Sequence, residues 1–81
     1  MKYQVRSPSD ALLYLADCQL ATVDSLAMKK SRAKHDYERQ KSIAQTAVDY
    51  IKSFGIEPNS TRVKNVIEAG SVDEYVKAFE A

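Results

Sequence analysis

Lys29, Lys30, Arg32, Lys34, Arg39 and Lys41 fall within the thirteen residues 29–41, with His35 and Tyr37 among them. Cations at this density can neutralise several phosphates, and rings beside them can stack on bases, as single-strand binders require. The same residues also suit a solvated helix connector, where Lys29 and Lys30 would complement the negative pole of a preceding helix. Residues 1–28 sum to −1, residues 29–41 to +4 and residues 42–81 to −2, which gives +1 for the chain. A balance so close to neutral argues against coating nucleic acid or membrane by bulk charge, so an anionic or acidic partner would meet this one stretch.

Other chemistry is sparse. His35 and Cys18 are the sole histidine and cysteine, and the chain has neither a Gly-rich phosphate loop nor a nucleophile elbow. A triad or P-loop cannot be assembled, and the expectation is a protein without enzymatic activity or cofactor. Asp10, Asp17 and Asp24 recur at steps of seven, about 10 Å apart along a helix, too far for two of them to share one metal ion. They read as a solvated face or as an acidic stripe for the basic residues of a neighbour. One cysteine excludes an internal disulfide and fits a reducing, cytoplasmic setting. No apolar run is long enough to span a bilayer, and residues 1–6 lack the apolar core of a signal peptide.

The elements that would position these residues are helices. Residues 9–54 contain neither glycine nor proline, and Leu13, Ala16, Leu20, Val23 and Ala27 repeat at steps of three and four, as do Tyr37, Gln40, Ala44, Ala47, Ile51 and Phe54. Carrying one register through the basic stretch would place Lys30, Lys34 and Lys41 on the seam, at a prohibitive desolvation cost. A turn is therefore expected, with Asp36 capping a second helix that runs to Phe54 and stops at Gly55. Opposite charges four apart, Arg32 with Asp36 and Lys34 with Glu38, support the alternative of one unbroken helix.

Ser7, Pro8 and Asp10 form a strong start signal for the first helix. Ser60 can cap a third helix that ends at Gly70, and Ser71 with Glu74 reads as a capping box for a short fourth. Val63 through Phe79 resembles a helix-turn-helix in outline, but its second helix carries three acids and one lysine, the wrong charge for a groove lined by phosphates. Tyr3 and Val5 alternate with polar residues as in an extended N-terminal arm. The fold expected for residues 1–81 is thus a single all-α domain: an antiparallel helical hairpin, two short C-terminal helices and that arm.

Tyr14, Cys18, Ala21 and Ser25 line a second, smaller-residue strip on the first helix, which suggests a neighbour outside the chain. Five tyrosines without tryptophan lean the same way, with Tyr14 and Tyr37 expected on an intermolecular surface. The function expected is that of a small interaction protein, an adaptor, regulator or inhibitor, that self-associates through this strip and binds a protein partner. The alternative is nucleic-acid or nucleotide binding through Lys29, Lys30, Arg32, Lys34, Tyr37, Arg39 and Lys41.

Overall fold

A computed structural model describes residues 7–29 and 33–80. Among them run α1 (Pro8–Ala27), α2 (Lys34–Ser53), α3 (Thr61–Ala69) and α4 (Val72–Val76). The expected N-terminal arm, and Lys30 and Arg32 of the basic stretch, lie outside the described residues.

Local chemistry sets most of the helix ends. Ser7 is extended and its hydroxyl accepts from the Asp10 N–H at 3.2 Å, while Pro8 occupies the first turn. Ser60 and Ser71 do the same for α3 and α4, accepting from Val63 and Glu74 at 3.2 and 3.1 Å. At the end of α2, Gly55 adopts φ +65°. Its N–H donates to the Lys52 carbonyl and that of Ile56 to the Ile51 carbonyl, the paired bonds of a Schellman stop.

The chain does turn between α1 and α2, so the single long helix is excluded. The start of α2 differs from the expectation. The helix begins at Lys34 with Ala33 as its N-cap and no side-chain cap bond. Asp36 sits inside the first turn, where its charge still favours the positive helix pole and holds Arg39 at 3.0 Å. Starting three residues early buries no lysine, because Lys34 is exposed.

The seam of α1, Leu13, Ala16, Leu20, Val23 and Ala27, packs on Tyr37, Ala44, Val48 and Ile51 of α2. Burying a side chain such as Leu20 or Ile51 contributes roughly 1.5–3 kcal/mol. Val63 and Val66 of α3 and Val72, Tyr75 and Val76 of α4 close this core from one side. Phe54 departs from its register: as the residue that ends α2 it is 69% exposed and stacks on Tyr50 at 5.9 Å.

Candidate interaction surface

The acidic residues of α1 determine what its outer surface becomes. Asp17 and Asp24 follow the buried seam residues Ala16 and Val23 by one position, so they border the core. Arg62 of α3 reaches both: its Nε lies 3.1 Å from Asp24 Oδ2 and its Nη1 3.4 Å from Asp17 Oδ1. The Tyr75 hydroxyl of α4 donates to the same Asp24 Oδ2 at 3.1 Å. The two carboxylates are only 12% and 13% exposed. Asp24 Oδ1 is buried without a hydrogen-bond partner among the described residues.

This cluster overturns both readings of Asp17 and Asp24. They are neither a solvated face nor a stripe awaiting a neighbour's cations, because the chain's own Arg62 meets them. Burial, and then the bond to Asp24, raises the Tyr75 pKa well above the ordinary tyrosine value. The hydrogen bond to Asp24 likewise raises that of Arg62 against the opposing effect of burial.

The basic stretch is divided in the same way. Tyr37, expected on a binding surface, is 3% exposed and donates to Glu80 Oε2 at 3.0 Å. Lys41 Nζ sits 4.6 Å from the centre of its ring and pairs with Glu38 and Asp73, each at 3.2 Å. Burial works to lower the Lys41 pKa, but the hydrogen bonds it donates to Asp73 and Glu38 carry it above its ordinary value. Tyr37 and Lys41 are therefore core and inter-helix residues, fixed between α2 and the C-terminal segment. Lys29, Lys34, His35 and Arg39 remain exposed around the hairpin tip, with Arg39 engaged by Asp36.

Between α2 and α4 the residues Glu38, Lys41, Ser42, Gln45, Val72 and Asp73 line a cavity of about 240 Å³. That is below the range of small-molecule sites, and its cation is already held by two carboxylates. No group of three or more His, Cys, Asp or Glu among the described residues is placed to hold a metal ion. Cys18 is exposed midway along α1 and His35 is exposed in the first turn of α2.

With Asp17 and Asp24 turned toward Arg62, the outward side of α1 carries no charge between Asp10 and Lys29. The expected strip lies there: Cys18 and Ser25 are exposed, Tyr14 and Ala21 half-buried. A hydrogen bond with Cys18 raises the Tyr14 pKa. Leu15 is 62% exposed on the same helix, and Ile43, Tyr50 and Phe54 are exposed on α2. Leu15, Ile43 and Tyr50 had no place in the sequence-based expectations, and Phe54 was expected on the seam. Their spacing of seven and four on α2 was visible in the sequence, but it could not show which side α3 and α4 would cover. No described helix is long and apolar enough to cross a membrane.

No protein-family model matches the chain, and neither does a curated protein or a solved structure.

Proposed function

We propose that this chain is a non-enzymatic helical interaction protein, an adaptor, regulator or inhibitor, that self-associates and binds a protein partner. One observation carries the reading: the outward surface of a 20-residue helix is left without charge because both of its central carboxylates are drawn to Arg62. Surface helices ordinarily present charged residues to water, and contiguous apolar exposure marks a contact.

Sedimentation of the full chain across a micromolar series tests it. Mass that grows with concentration supports the reading, and a strict monomer overturns self-association. Leu20→Glu, at a position with no exposure, should unfold the protein. Ala21→Glu, on the half-buried strip, should keep the helical signal while weakening the contact with the protein partner.

A second reading has its own observation, the exposure of Lys34, His35 and Arg39 around the tip. Binding to a single-stranded oligonucleotide that weakens steeply with salt would favour a nucleic-acid or nucleotide ligand there.

A further inference from the structure

Leu15 precedes Asp17 by two residues on α1, and Ile43 precedes Gln45 by two on α2. Each apolar side chain therefore points about 160° around its helix from a residue that meets the C-terminal helices. Asp17 meets Arg62 of α3, and Gln45 accepts the Val72 N–H of α4 at 2.7 Å. Helices α3 and α4 thus cover one face of the α1/α2 hairpin, and Leu15, Ile43, Tyr50 and Phe54 belong to the opposite one. Half-buried Leu12 and Ala47 continue it inward, and Gln19 donates to Gln40 across it.

We propose that this uncovered face is the seam of a symmetric dimer, occupied by a second copy of the chain. The inference rests on the self-association reading above and sites that contact here, leaving Tyr14, Cys18, Ala21 and Ser25 to the protein partner.

Two arguments select a second copy. The first is charge. In a two-fold interface the patch meets itself, so any net charge on it meets like charge. By helical spacing Asp10, Asp17 and Asp24 of α1 and Lys41, Asp49 and Lys52 of α2 all fall on other sides. Asp36, one heptad before Ile43 on the same side of α2, pairs with Arg39 beside it. The face is neutral and can meet its own copy without repulsion.

The second is area. Two helices of 20 residues give a face about 30 Å long and 20 Å wide, roughly 600 Å² per copy. Paired with itself it removes on the order of 1,200 Å² from water, the lower bound of a stable specific interface.

The test uses the full chain. Sedimentation should give a dimer, and Ile43→Glu with Tyr50→Glu should weaken it by roughly tenfold or more while helical circular dichroism is retained. Ala21→Glu should leave the dimer intact. A spin label at Thr46→Cys in a Cys18→Ser background should report a shorter distance between subunits than one at Lys64→Cys on α3. That comparison leaves the face itself unmutated, so it decides the question even if the glutamate variant fails to fold. A monomeric wild type overturns both this inference and the self-association reading. A dimer in which the Lys64 labels are the closer pair, or which Ala21→Glu dissociates and Ile43→Glu with Tyr50→Glu does not, overturns the inference alone.

Discussion

Arg62 Nε and Asp24 Oδ2, 38 positions apart in the chain, lie 3.1 Å from each other and bind α3 to α1. Removing the cation would leave two largely buried carboxylates without their counter-charge. Breaking a fully buried pair costs about 3–5 kcal/mol, but the Arg62 side chain is 43% exposed, and solvent screening lowers the expectation for Arg62→Ala to about 1–3 kcal/mol. Urea unfolding measures it, and Arg62→Lys should recover part of the loss.

Tyr75 should ionise later than a free tyrosine. Its folded pKa is raised, so its contribution to stability is complete below the ordinary tyrosine pKa of about 10 and is lost as pH rises through the folded value. Melting temperature should therefore fall above about pH 10, and Tyr75→Phe should flatten that fall while costing about 1 kcal/mol at neutral pH. Ultraviolet titration should show Tyr75 ionising only as the protein unfolds.

The tip residues and the inter-helix residues of the basic stretch should separate by stability. Lys34→Gln and Arg39→Gln should change unfolding free energy by no more than about 0.5 kcal/mol. Tyr37→Ala should cost about 3–5 kcal/mol, the range for removing a large buried ring, because it also withdraws the support beneath Lys41. Thermal and urea melts followed by circular dichroism distinguish the two groups.

Gly70 closes α3 at φ +100°, and an added Cβ would meet nothing within 4 Å. The penalty for Gly70→Ala is thus purely a backbone one, about 1–2 kcal/mol. A loss much larger than that in urea unfolding would mean that the α3–α4 turn rearranges.

What the sequence disclosed follows from the range of the interactions. Ser7, Ser60 and Ser71 were readable as caps because each bonds an N–H three residues on. The α1 seam was readable because its period is local. The start of α2 was not, since Ala33 supplies no cap bond. Tyr37 lay on the periodic seam, yet its neighbouring lysines suggested a ligand ring. The register was the better guide. Arg62 carries no local mark of its role, because its partners come from another helix. The exposed face of the hairpin was hidden for the same reason: it is defined by where α3 and α4 are not.

The short connector between α1 and α2 also orders events in time. Closing the hairpin spans only the six residues 28–33 between helix ends, a small loop-closure cost. The Arg62–Asp24 and Tyr75–Asp24 contacts must bring together positions 38 and 51 apart. The hairpin should therefore zip first and the C-terminal helices dock onto it afterwards. On the return path α4, five residues long and tied to α1 by the Tyr75–Asp24 bond, should lift off while α1 and α2 are still paired. Amide exchange would register this as fast opening in α4 and slow opening along the α1/α2 seam.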